Sequence, residues 1–157
     1  KGSILLNYAV TEKADGERYE LFIYKKKGYL INSKMNVIDT GVIFNGISGN
    51  WILDGEFITR DKYNNDIKLF MIFDVYYEIT GSTVNHVYKL PFHSTTDGLC
   101  RYNIIKKFKT DVLNSISFDE NNIEIDIKNY DFGKVGSYLS VNLRLDSILG
   151  SIKFLSN

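Results

Sequence analysis

The chain has 157 residues, enough for one domain with a sizeable core. Hydrophobic residues make up 44% and charged residues 24%, and 11 Tyr and 10 Phe against a single Pro favour sheet and exclude a disordered chain. Nineteen basic residues balance nineteen acidic ones, so the net charge argues neither for nor against nucleic acid, and any anion-binding surface has to be local.

Cys100 is the only cysteine, so no intramolecular disulfide forms, which fits a reducing compartment. The longest apolar run, around residues 69–77, is broken by Asp74, and no membrane span is expected. The sequence opens on Lys1, without an initiator methionine or a signal-peptide pattern, and is expected to be a stretch of a longer protein.

In chain order, residues 6–13 read as a strand that ends near Lys13. Asp15-Gly16 offers a tight turn, where a lysine can project into a cleft. Taken alone, this stretch also reads as a plain polar hairpin. Residues 18–24 form the next strand, with packing groups on both faces. Lys25-Lys26-Lys27-Gly28 is a hairpin loop in which Gly28 is expected to take the positive φ. Residues 29–33 return, 35–39 follow, and the three glycines within 40–50 predict a loop. The strand over 51–59 is expected to be interrupted at Asp54-Gly55-Glu56. Residues 60–66 are a polar turn, and 68–77 read as a central strand buried on both faces. Residues 81–96 look irregular.

The period then changes. Leu99, Tyr102, Ile105, Phe108 and Val112 recur every three or four residues and predict an amphipathic helix over 97–115, with Thr95, Thr96 or Asp97 as N-cap. Lys106, Lys107 and Lys109 read as its solvated face. In the acidic segment 116–132, Ile123, Ile125 and Ile127 alternate with Glu124, Asp126 and Lys128 as a half-exposed strand. Val141, Leu145, Ile148 and Leu149 predict a second helix ending near Gly150. His86, His93 and Cys100 are too few and too widely spaced for a structural zinc, and no metal ligand is assigned.

Three motifs stand in order. They are Lys13-Ala14-Asp15-Gly16-Glu17-Arg18, Leu53-Asp54-Gly55-Glu56-Phe57 and Leu69-Phe70-Met71-Ile72-Phe73-Asp74-Val75. The set resembles the covalent nucleotidyltransferase superfamily of mRNA capping guanylyltransferases and ATP-dependent DNA and RNA ligases. Its K-x-D-G-x-R, D-G-E and hydrophobic-F-D motifs match here in order and spacing. Lys13-Ala14-Asp15-Gly16 with Arg18-Tyr19 resembles cellular capping enzymes. The run from Tyr29 to Gly41 and the Asn121-to-Ile125 segment resemble the multifunctional capping enzymes of large cytoplasmic DNA viruses. Asn32-Ser33-Lys34 stands where ligases carry Ser-Arg-Asn and many cellular capping enzymes Ile-Asp-Arg, so no role is carried over there.

The resemblance implies an α+β fold, with antiparallel sheets around a nucleotide cleft and one or two helices outside. It implies a single partial nucleotidyltransferase domain over 1–157, lacking the distal lysine motifs and the oligonucleotide-binding-fold domain that follow in the family. It implies a lysyl-GMP intermediate on Lys13 and transfer of GMP from GTP to a diphosphate RNA 5′ end. By the same resemblance Arg18 contacts ribose or phosphate, Glu56 accepts from the ribose or from a metal-bound water, Phe73 lies on the purine, and Asp15 shapes the loop. Mg2+ or Mn2+ would accompany GTP, and triphosphatase and methyltransferase domains would be fused in the parent chain, cytoplasmic or virion-borne. A turn carboxylate, a core aromatic and a surface ion pair are the plain structural alternatives for Glu56, Phe73 and Arg18. Two functional alternatives stand beside capping: an ATP-dependent ligase adenylation domain, and a non-catalytic module that binds nucleotide or a partner.

Overall fold

The computed structural model describes residues 15–96 and 98–132. The expected strand ending at Lys13 and the second helix near Gly150 lie outside them. Asp15–Ile127 makes one compact unit. A second unit takes residues 1–14 and 128–157; within its described part the rings of Tyr130 and Phe132 stack at 6.1 Å.

Seven strands build one sheet in the first unit: β1 (Glu17–Tyr24), β2 (Lys27–Ile31), β3 (Val37–Ile43), β4 (Asn50–Arg60), β5 (Asp66–Thr80), β6 (Thr83–Asn85) and β7 (Glu124–Ile127). Their order is β3-β2-β1-β4-β5-β6, and every neighbour in it is antiparallel. β7 lies parallel to the first half of β5, opposite Leu69 to Ile72. One helix, α1 (Arg101–Asp111), packs on β5 and β7. The architecture is therefore α+β, with one mixed sheet among the described residues where antiparallel sheets were expected. No helix among those residues is long and apolar enough to cross a membrane.

Alternation explains which face is buried. Tyr19, Leu21 and Ile23 of β1 point into the core, while Glu20 and Tyr24 stay exposed, so β1 is one-sided and not packed on both faces. Leu30, Leu53, Phe70, Ile72 and Val75 extend the same apolar face across the sheet. Phe70, Ile72 and Val75 are fully buried, but Met71, Phe73 and Tyr76 on β5 are only half-buried. The Phe108 ring of α1 closes the core, 5.4 Å from Trp51 and 6.4 Å from Phe44.

Several expectations are corrected. The β1–β2 hairpin turns on Lys25 (φ 48) and Lys26 (φ 66), a two-residue loop with both φ positive. Gly28 lies inside β2, where a Cβ would meet Phe44 at 2.6 Å, so its role is close approach. Residues 40–43 continue β3 and are not loop; Gly41, one of the three glycines that suggested a loop, takes φ +71 within the strand. β4 runs unbroken through Asp54-Gly55-Glu56, absorbing irregularities as register shifts against β5.

The helix begins at Arg101, not at 97. Backbone N–H groups of Arg101 and Tyr102 donate to the carbonyls of Pro91 and Phe92, both at 2.9 Å, so a distant loop caps the helix. Cys100 occupies the N-cap without a side-chain hydrogen bond, and Leu99, on the expected apolar stripe, is 68% exposed. The helical lysines find local partners: Lys109 pairs with Asp126 at 2.8 Å, Lys107 stands 4.0 Å from Asp111, and Lys106 lies over the Tyr102 ring.

Candidate nucleotide site on the open sheet face

The motif residues meet where β1, β4 and β5 run side by side. Arg18 and Glu56 are directly opposite each other in the β1–β4 register, and Glu20 is opposite Asp54. With a two-residue side-chain period, these four groups share the face away from the buried apolar one. The motif glycines make the strands fit. A Cβ on Gly16 would stand 2.8 Å from the Phe57 carbonyl oxygen, and one on Gly55 would stand 2.4 Å from that of Met71. Asp15 is exposed and leads directly through Gly16 into β1. Lys13 lies outside the described residues.

Arg18 is held by a carboxylate from the second motif. Its Nε donates to Asp54 Oδ1 at 3.1 Å and its Nη2 to Oδ2 at 2.7 Å, a two-pronged ion pair. The two ends differ in environment: the Arg18 side chain is 66% exposed and Asp54 1%. The Tyr76 hydroxyl donates to Asp54 Oδ2 at 2.5 Å and accepts from Arg18 Nη2 at 2.9 Å. Hydrogen bonding and attraction to Asp54 hold the guanidinium pKa above its ordinary value. Burial, then the hydrogen bond to Asp54, pushes the Tyr76 phenol up to about 12, so the hydroxyl keeps its proton at neutral pH.

Glu56 is half-buried, and its Oε2 is buried with no hydrogen-bond partner. A buried carboxylate oxygen left without a donor is costly, and it marks a position where a water or a ligand atom would satisfy it. Phe73 is half-buried at a register shift: Asp54 faces Asp74 and Gly55 faces Ile72, so Phe73 is the extra residue. Asp74 ties β5 to the helix through Arg101 Nε at 2.8 Å, while Arg101 Nη1 also donates to the Leu90 and Tyr88 carbonyls.

Asp54, a second-motif residue to which no role was assigned, and Tyr76, which no motif contains, are further members of this cluster. An aspartate in the middle of a strand is a signal for Asp54, because that residue is poor in sheets unless it is paired. Tyr76 has no such signal. Asn32, at the position where family patterns differ, is structural: it is buried, its Oδ1 accepts from the Lys34 and Asn36 amides, and its Nδ2 donates to Glu17. A pocket of about 290 Å3 beside Val42, Asn45, Ser115 and Asn122 shares no residue with this cluster.

The chain is similar to a stretch of a protein named as a probable mRNA-capping enzyme. Over 136 residues, 83% of its length, it is 33% identical to the probable mRNA-capping enzyme of Acanthamoeba polyphaga mimivirus. It spans 11% of that relative's length. No protein-family model matches the chain.

Proposed function

We propose that this chain is part of an mRNA guanylyltransferase and carries the nucleophile and the sugar-side contacts for GTP. The observation that carries the reading is the pairing of Arg18 with Glu56 across β1 and β4, with Glu56 Oε2 unpartnered between motifs that are distant in sequence. The likeness to a protein named as a capping enzyme supports the choice within the superfamily.

In this reading the neutral amine of Lys13 attacks the α-phosphorus of GTP. A P–N bond forms, the bond to the pyrophosphate oxygen breaks, and the amine gives up a proton. A terminal phosphate oxygen of a diphosphate RNA 5′ end then attacks the same phosphorus, and the P–N bond breaks as lysine takes a proton back. A lysine is protonated at neutral pH, so burial or nearby positive charge has to favour the neutral amine first.

The described residues act on binding. Arg18, with Nε and Nη2 engaged, offers Nη1 to a ribose hydroxyl or phosphate oxygen. Glu56 Oε2 accepts a ribose hydroxyl or a water. Phe73 lies against the purine, where stacking on an aromatic ring is worth about 1–3 kcal/mol. Asp15 and Gly16 lead the chain from Lys13 into the sheet.

Among the described residues, no three His, Cys, Asp or Glu side chains form a ready metal cage. The orphaned Glu56 oxygen fits the way Mg2+ is ordinarily held, by one or two carboxylates, waters and substrate phosphates. A divalent cation bound there would neutralise phosphate charge and stabilise the leaving pyrophosphate. Triphosphatase and methyltransferase domains elsewhere in a longer parent protein belong to the same proposal.

The test is covalent labelling. The intact gene product and its Lys13→Ala variant are incubated with magnesium and α-labelled GTP or ATP, then denatured. Label from GTP that disappears in Lys13→Ala supports the reading. Label from ATP alone moves the chain to the ligases, and no label from either leaves a binding module.

A further inference from the structure

We propose that Tyr76 is a positioning residue of this site and acts by fixing the Arg18 guanidinium. The inference rests on the guanylyltransferase reading and adds a residue that no motif contains.

The Arg18 side chain is 66% exposed, so packing does little to hold its head group. Its direction has to come from polar anchors. Asp54 supplies two, but an ion pair that is open to water on the Arg18 side is partly screened. The Tyr76 hydroxyl closes the arrangement. It donates to the carboxylate oxygen that already accepts from Nη2, and accepts a second hydrogen from Nη2 itself. Each of the three groups thus touches the other two.

A guanidinium has five N–H donors. Nε spends one on Asp54, and Nη2 spends its two on Asp54 and Tyr76. What remains is the Nη1 edge, which is the edge offered to the nucleotide. Tyr76 reaches this position through a backbone irregularity. Ile52 faces Tyr77 and Leu53 faces Val75, so Tyr76 is an extra residue with no opposite number on β4. A bulge of this kind re-aims a side chain, here along the sheet toward Asp54.

The test is a double-mutant cycle in the intact gene product, read by GTP-dependent labelling of Lys13, by binding of a fluorescent GTP analogue and by thermal melting. Tyr76→Phe removes only the hydroxyl. Its expected effect is a rise of about fivefold in KM for GTP and in the analogue Kd, with kcat for labelling and Tm close to wild type. In an Arg18→Lys background the same change is expected to have no further effect, because the fork it steadies is gone. An unchanged KM and Kd in Tyr76→Phe overturns the proposal. So does an equal rise in the Arg18→Lys background, which would place Tyr76 in contact with nucleotide independently of Arg18. A Tyr76→Phe protein that fails to fold also overturns it, since the hydroxyl would then serve folding and not the positioning of Arg18. These outcomes all presuppose a wild type that labels; absence of label from GTP in the wild type brings down the functional reading itself.

Discussion

Gly16 lies against the carbonyl of Phe57, so a glycine of the first motif abuts the strand that carries the second. A Cβ there would stand 2.8 Å from the Phe57 oxygen and 3.1 Å from Ile58 Cγ1. The β1–β4 ladder begins at this contact, with Glu17 opposite Phe57 and Arg18 opposite Glu56. The glycine thus sets the separation at which Arg18 and Glu56 face each other.

Gly16→Ala is expected to push the start of β1 off β4, destabilise by about 1–3 kcal/mol and weaken nucleotide binding. Gly55→Ala should cost more. Its Cβ would meet the Met71 carbonyl oxygen at 2.4 Å and Phe70 Cζ at 2.5 Å, backbone and ring that cannot step aside. Urea unfolding of the two variants gives the order; a Gly55→Ala protein as stable as wild type would contradict the close approach.

The unequal burial of Arg18 and Asp54 predicts an asymmetry. Arg18→Gln strands a carboxylate that is 1% exposed with Tyr76 as its remaining side-chain donor, at a cost of about 1–3 kcal/mol. Asp54→Asn keeps an acceptor for Arg18 and returns a mostly exposed guanidinium to water, so its cost should stay under about 1 kcal/mol. Both variants should lose nucleotide affinity. Comparing unfolding midpoints with binding constants separates the two effects.

Tyr76 makes stability fall in alkali. Its phenol is raised from 10.0 to about 12 in the folded protein, so folding favours the protonated form. That contribution is whole below about pH 10 and is lost as pH rises through 12. Wild type, close to Tyr76→Phe in stability at neutral pH, should therefore fall relative to the variant across this window, which denaturant titrations at stepped pH would follow. A wild type that gains on the variant toward pH 12 would contradict the assigned sign.

Phe108 joins α1 to the sheet through Phe44 and Trp51. Phe108→Ala should cost about 3–5 kcal/mol in a thermal or urea melt. Lys109→Ala, which removes the partly exposed pair to Asp126, should cost less than about 1 kcal/mol.

The local patterns were legible where neighbours along the chain decide the outcome. Tyr19, Leu21 and Ile23, and again Ile123, Ile125 and Ile127, announce their buried faces by alternation, and all six are buried. Arg18 and Glu56 can be picked out from motifs, and the sheet brings them opposite each other. Where distant atoms decide, the pattern misleads. Leu99 fits the helical period, but the carbonyls of Pro91 and Phe92 start the helix after it. Gly28 looks like the turn residue, yet Lys25 and Lys26 take the turn and Phe44 claims the space above Gly28. Asp54 looks like a strand breaker, and it is a buried anchor because Arg18 and Tyr76 come to it. Tyr76 enters through a register shift that no run of residue types encodes.

The parallel pairing of β7 with β5 has a consequence for synthesis. Leu69 to Ile72 are translated well before Glu124 to Ile127, their partners on that side. Until those residues leave the ribosome, this side of β5 presents unpaired amides and carbonyls beside a strongly apolar strand, an invitation to pair with another nascent chain. The interval between the third motif and β7 is thus the period in which the emerging domain is most open to such mispairing.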